Sequence, residues 1–212
     1  RLTELALQSL GAKAFHVVMP SPRQSAPVPV RSTGASDALQ GLEPAIAALS
    51  SSGMVVDLTV EGLLHAPELT AILKGGARVL MISNEHPEAL ERLVPDESLK
   101  IAVRVAVARC RKANTMTVTS AAGSDLTVEL KECPAAGVWG WTDRPGTVAH
   151  WPGGVIVAFP KRHSVNGRLV MHPGDINLTF KRYLETPIAL VIEDDYVTAV
   201  EGDGMDAALM RK

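Results

Sequence analysis

Three groups of residues in this sequence carry side chains suited to chemistry. His65 stands in Glu61-Gly62-Leu63-Leu64-His65-Ala66-Pro67, just past an apolar run expected to be a strand. Ligands of open α/β sheets bind outside the carboxyl ends of strands. His65 also precedes an expected helix N-terminus, whose dipole disfavours an imidazolium. A neutral imidazole there can accept a proton; the competing role is a helix cap or a partly buried histidine. His150-Trp151-Pro152-Gly153-Gly154 puts an imidazole and an indole on one short turn. A polar handle beside a flat apolar face suits an aromatic ligand; the competing role is a hydrophobic corner with a solvent-facing histidine. His163, His172 and Asp175 flank one expected strand and have the composition of an open non-haem iron site. His172 precedes Pro173-Gly174, however, and in such a turn Asp175 is expected to satisfy backbone groups. No metal is assigned to these three.

Other chemistry-bearing residues read as structural. Glu193-Asp194-Asp195 and Asp203/Asp206 fit no EF-hand spacing and are expected to be solvated turns. Cys110 lies between Arg109 and Arg111 and is expected to be a structural thiol. The sequence has no Walker glycine loop, no Gly-x-Gly-x-x-Gly, no His-Glu-x-x-His and no Gly-x-Ser-x-Gly.

These residues need a scaffold, and 212 residues suffice for one large or two small domains. A chain of this size buries roughly 70% of its unfolded surface, so disulfide staples are unnecessary. The 46% hydrophobic and 21% charged content is that of a globular protein. A net charge of −2, from 21 basic and 23 acidic residues, argues against a nucleic-acid or anionic-membrane binder. Two cysteines without a Cys-x-x-Cys pair suggest a cytoplasmic protein. No apolar run approaches the ~18 residues of a membrane span.

Of the eight aromatic residues, only Phe15 precedes residue 138, which suggests two units built differently. Residues 1–114 are expected to be an α/β unit, a partly parallel sheet with helices. Its strands are read at Ala14–Met19, Met54–Val60 and Arg78–Ser83. Its helices are read at Asp37–Leu49, with Ser36 or Asp37 as N-cap, and at Pro67–Lys74, Pro87–Leu93 and Ser98–Ala113. Alternation of strand and helix implies parallel pairing. Residues 20–35, rich in Pro, Ser and Arg, are expected to be an exposed loop. Residues 115–212 are expected to be mostly antiparallel β. A hairpin is read at Thr115–Ser120 and Leu126–Leu130, then strands at Val155–Phe159, Arg168–Met171, Ile176–Phe180, Ile188–Ile192 and Tyr196–Val200. A helical stripe already runs at Leu2, and the last residues resemble the first turns of a helix. Both ends therefore read as cut from a longer polypeptide.

A family resemblance extends over most of the chain from Leu10 onward. It is carried by Leu63-Leu64-His65-Ala66-Pro67-Glu68, His150-Trp151-Pro152-Gly153-Gly154, Phe159-Pro160, Val165-Asn166-Gly167-Arg168-Leu169-Val170, Pro173-Gly174-Asp175, Lys181 and Ile192-Glu193. In that order these segments resemble the 2,5-dihydroxypyridine 5,6-dioxygenases, non-haem iron(II) enzymes that open a hydroxylated pyridine ring. The resemblance implies a small aromatic substrate, O2, no nucleic acid and no membrane, and a homo-oligomer. It implies His65 as the catalytic proton acceptor, and His150 and Trp151 as substrate contacts. The iron(II) ligands of the family lie in a later segment, so they are expected beyond Lys212 and the span alone is expected to be inactive. Related metalloaminopeptidases place a metal-binding glutamate after the Pro-Gly-Gly turn; here that position is Val155. A peptidase-like hydrolase and a non-catalytic binding or oligomerisation module are the alternatives.

Overall fold

The computed structural model describes residues 1–19, 38–59, 62–82, 86–177, 180 and 182–211. In chain order the elements begin α1 (Leu2–Ser9), α2 (Glu43–Ser50), β1 (Met54–Asp57), α3 (Leu69–Lys74) and β2 (Arg78–Met81). Next come α4 (Pro87–Arg92), α5 (Glu97–Lys112), β3 (Thr115–Thr119), β4 (Asp125–Glu129), β5 (Ala135–Val138), β6 (Val148–His150) and β7 (Val155–Ala158). The rest are β8 (Val165–Met171), β9 (Ile176–Asn177), β10 (Arg182–Tyr183), β11 (Ile188–Glu193), β12 (Tyr196–Glu201) and α6 (Met205–Met210). The chain is mixed α/β, and its contacts divide it into two compact units. Over the described residues one comprises 1–19, 38–59, 62–82 and 142–148, and the other 86–141, 149–177, 180 and 182–211.

The first unit holds the parallel strands. β1 and β2 pair in register from Met54 opposite Arg78 to Asp57 opposite Met81. The sheet order is β1-β2-β6, and the Val79 N–H donates to the Thr147 carbonyl at 3.0 Å. Val55 and Val79 bury one side chain each into a core shared with Leu49 of α2 and Leu69 and Ile72 of α3. A parallel pair needs a crossover, and α3 supplies it. Gly76, at φ +94°, ends α3 in the left-handed conformation that glycine adopts without strain.

Two expectations for this unit fail. Ala14–Met19 forms no strand: an apolar run becomes one only where a neighbour completes its ladder, and no strand pairs with it among the described residues. Val17 and Met19 instead pack against the first core, while Phe15 and Val18 are exposed. The helix read over Asp37–Leu49 starts only at Glu43. Gly41 sits at φ +73° in a turn, and Pro44 occupies the first helical turn. Proline lacks an N–H, and inside a helix that began at Asp37, seven residues earlier, it would break the hydrogen-bond ladder. Ser36, Asp37, Val60, Ser83, Lys181 and the loop at 20–35 lie outside the described residues.

The second unit is mostly antiparallel. Its main sheet has the order β12-β11-β8-β4-β3, every adjacent pair antiparallel. The β11–β12 hairpin turns at Asp194 and Asp195, at φ 50° and 75°. Two central residues of positive φ are what a twisted two-residue hairpin requires. Where β4 crosses β8, Gly167 lies at φ +130°, and a Cβ there would meet the Asp125 carbonyl. Consecutive strands do begin at Thr115, directly after α5, but by contacts α5 belongs with the strands that follow it. It packs on the small β5–β7 sheet: Val103 is buried, and a Cβ on Gly137 would strike Val103 and Val107. β5 and β6 have no sequence signature. Ala-Ala-Gly-Val after a proline reads as a turn, and three residues are too few to show a period.

α5 is the best-capped helix of the unit. The Asp96 side chain accepts from Ser98 N–H at 2.7 Å, from Leu99 N–H at 3.2 Å and from the Ser98 hydroxyl. The Ser98 hydroxyl first, then the Leu99 and Ser98 N–H groups, hold its carboxyl below the usual range. A depressed carboxyl stabilises the fold fully above its unfolded pKa, and that contribution disappears as pH falls through the folded value. Asp96→Ala should therefore lower Tm at pH 7. The gap to wild type should close as the pH is taken below ~4, the carboxylate range, in a series of thermal melts.

Candidate functional site

β1 ends at Asp57, and the chain must leave the sheet there without stranding buried N–H groups. The Asp57 side chain is only 4% exposed. Its Oδ1 accepts from Thr59 N–H at 3.0 Å and from the Thr59 hydroxyl at 2.7 Å; its Oδ2 accepts from Leu63 N–H at 2.7 Å. The Thr59 hydroxyl oxygen in turn accepts from Gly62 N–H at 3.0 Å. Gly62, at φ +72°, makes the bend. From Leu63 the chain forms a β-turn closed by Ala66 N–H donating to the Leu63 carbonyl at 3.1 Å. The first and last residues of the turn, Leu63 and Ala66, are buried in the first core, whereas His65, third in the turn, is exposed.

His65 therefore takes neither structural role open to it. The N-cap of α3 is Glu68, with no side-chain cap, and His65 is not buried. His86 shows what the capping role looks like: it precedes α4, and its Nδ1 accepts from Glu88 N–H at 3.3 Å.

In the second unit His150 closes β6 and is half-buried. Trp151 is 4% exposed, and its indole N–H donates to the Leu93 carbonyl at 3.1 Å. The Trp151–Pro152 peptide is cis. Of the two glycines that follow, Gly153 is required by close approach and Gly154 by its positive φ. A Cβ on Gly153 would run into the Trp139 carbonyl and Gly140 N; Gly154, at φ +88°, donates its N–H to Val138 at 2.9 Å. Nearby, Trp139 and Trp141 meet edge to face, centroids 6.4 Å apart. Lys100 Nζ stands 5.4 Å and 6.0 Å from their centroids, within cation–π range. The Trp-x-Trp spacing was visible in the sequence; nothing there pointed to Lys100.

The remaining candidates are engaged with backbone or core. His163 and His172 are exposed. Their main-chain N–H groups donate to Asp195 at 2.6 Å and to Asp175 at 2.7 Å, so Asp175 fills the turn role expected of it. Asp195 also accepts from Ser164 and Val165 N–H, and the Val165 bond, then the His163 bond, hold its carboxyl below the usual range. Asp206 is not a solvated turn residue. It is 4% exposed, its Oδ1 lies 3.0 Å from Arg182 Nε, and its Oδ2 accepts from Glu185 N–H at 3.0 Å. Cys110 packs against the cluster holding buried Cys133, and the Arg111 side chain donates to the Ala135 carbonyl. Among the described residues no three of His, Cys, Asp and Glu stand together as a metal site. None of the described helices is long and apolar enough to cross a membrane.

The sequence matches the family described as NicX, 2,5-dihydroxypyridine 5,6-dioxygenase, over residues 1–212. It is 37% identical over 208 residues to a 2,5-dihydroxypyridine 5,6-dioxygenase of Pseudomonas putida, covering 97% of this chain and 58% of the relative. The solved 2,5-dihydroxypyridine dioxygenase from Pseudomonas putida KT2440 superposes with a TM-score of 0.86 at 37% identity, over 98% of this chain and 59% of that one. The chain thus spans well under two thirds of the length of these relatives.

The turn after β6 should respond to small changes. Trp151→Phe strands a carbonyl that the indole N–H now satisfies, a loss of about 1–3 kcal/mol. Gly153→Ala forces backbone apart, a further mechanism worth about 1–3 kcal/mol. Urea titrations of each variant, followed by tryptophan fluorescence, check both.

Proposed function

The chain belongs to the 2,5-dihydroxypyridine 5,6-dioxygenase family, and on that premise we propose that it is part of an iron(II)-dependent dioxygenase that opens the ring of a hydroxylated pyridine such as 2,5-dihydroxypyridine. Its substrates in this reading are the small aromatic ring and O2. It acts as a cytoplasmic enzyme of nicotinate degradation and assembles with copies of itself.

An iron site of the open type needs about three protein ligands. The described residues do not provide them, so iron does not fit among them. The reading places its ligands in family length beyond Lys212, and the span alone lacks activity. What this chain's own residues contribute is acid–base chemistry and binding. Loss of a proton from a ring hydroxyl makes the ring electron-rich and easier to oxidise. His65 is the acceptor of that proton. The observation that carries this role is the pinned turn, which buries Leu63 and Ala66 and leaves the imidazole between them free to meet a ligand. His150 and Trp151 are proposed as substrate contacts, His150 as the polar group and Trp151 as the apolar surface beside it. Val155, which begins β7, offers no ligand atom for a peptidase-like metal site, so the hydrolase reading draws no support from this turn.

His65→Ala in the complete gene product is the test. Bound iron and Tm should match wild type, because the exposed imidazole fills no core position. Single-turnover ring opening should slow by about 10²–10⁴-fold. His150→Ala should raise KM more than it lowers kcat. A normal single-turnover rate in iron-loaded His65→Ala would remove His65 from the reaction and leave His150 as the candidate acceptor. Full stability with no turnover in the wild type itself would favour a non-catalytic module.

A further inference from the structure

Asp57 is a charged side chain, 4% exposed, at a register position where an apolar one would serve the core. The burial of β1 alternates, and the other inward position is Val55. Burying a carboxylate for stability alone is a poor exchange against an apolar residue of similar size. Among the described residues the hydrogen bonds to this carboxylate run forward along the chain, from Thr59 N–H, the Thr59 hydroxyl and Leu63 N–H. Through the Thr59 oxygen it also holds Gly62 N–H. Three backbone N–H groups between residues 59 and 63 are therefore tied, directly or through one hydroxyl, to one buried anion. Leu63, the last of them, is the first residue of the turn whose third residue is His65.

We propose that Asp57, acting with Thr59, is the positioning residue for His65: its carboxylate sets where the β1–α3 turn leaves the sheet and so where the imidazole stands. The inference rests on the reading that His65 accepts the substrate proton. Asp57 touches no reacting atom; it acts through Leu63 and the turn. A misplacement near 1 Å by a residue outside the chemistry can cost about 10²-fold in rate.

The experiment uses three variants: Asp57→Asn, Thr59→Val and Thr59→Ser. Amide hydrogen exchange and turnover of 2,5-dihydroxypyridine are both measured on the complete gene product. In Asp57→Asn and Thr59→Val, exchange at Leu63 and Ala66 should rise tenfold or more, while the β2 amides Val79 and Leu80 stay as protected as in wild type. In the same two variants kcat should fall tenfold or more with KM within twofold. Thr59→Ser keeps the hydroxyl and should restore both readings. If Asp57→Asn does not fold, the Thr59→Val and Thr59→Ser pair decides alone. Faster exchange with unchanged kcat makes the clamp structural and overturns the proposal, as does unchanged exchange at Leu63. Normal turnover in His65→Ala overturns it too, but by removing the function of His65 and not the clamp, which the exchange data score separately.

Discussion

A buried N–H must find an acceptor, and at the carboxyl end of β1 that acceptor is a single carboxylate. Asp57 divides its two oxygens between Thr59 and Leu63. The division fixes how the chain turns away from the sheet, and the buried side chains of Leu63 and Ala66 fix the next turn against the core. His65 is exposed because its neighbours two before and one after are not. Its place is thus a consequence of backbone satisfaction and apolar burial, neither of which involves the imidazole. A group placed in this way can be changed for chemistry without loss of the fold.

The second unit obeys a similar constraint with different parts. At the hairpin tip, Asp194 and Asp195 take positive φ, and Asp195 turns its carboxylate onto three N–H groups leading into β8. β8 is the middle strand, paired to β4 and to β11, so order at its start is order for the sheet. At the turn after β6, an indole N–H on the Leu93 carbonyl, Gly153 pressed against the Trp139–Gly140 backbone and the Gly154 N–H on the Val138 carbonyl hold the segment that carries His150. In each place a polar group satisfies backbone that would otherwise be stranded, and a histidine lies beside it.

The parts of this arrangement legible in the sequence are those that leave local signals. Gly75-Gly76 after an apolar stripe marked the end of α3, and Pro87 marked the start of α4. Alternation marked β3 and β4, and short apolar runs marked β11 and β12. The aromatic imbalance marked a change of architecture. What was not legible depends on partners distant in sequence. Ala14–Met19 has strand composition but no ladder partner among the described residues. The apolar stripe runs on either side of Pro44, but the helix begins only at Glu43, with the proline in its first turn. Asp57 carried no spacing signature, since one acid in an apolar run looks the same whether it is solvated or clamped. Asp206 was misread for the same reason, its partners Arg182 and Glu185 lying more than twenty residues earlier. His65 was legible as a candidate because it follows an expected strand and precedes an expected helix. That it is neither cap nor core residue needed the geometry.

The central claim is that His65 takes a proton from the substrate hydroxyl, and the ring itself can report it. Deprotonated hydroxypyridines absorb differently from their neutral forms. The measurement is the anaerobic ultraviolet difference spectrum of 2,5-dihydroxypyridine on binding to the iron-loaded complete gene product, in wild type and in His65→Ala. Wild type should give the spectrum of the deprotonated ring, and His65→Ala that of the neutral ring at equal occupancy. The same deprotonated spectrum in both proteins would contradict that claim.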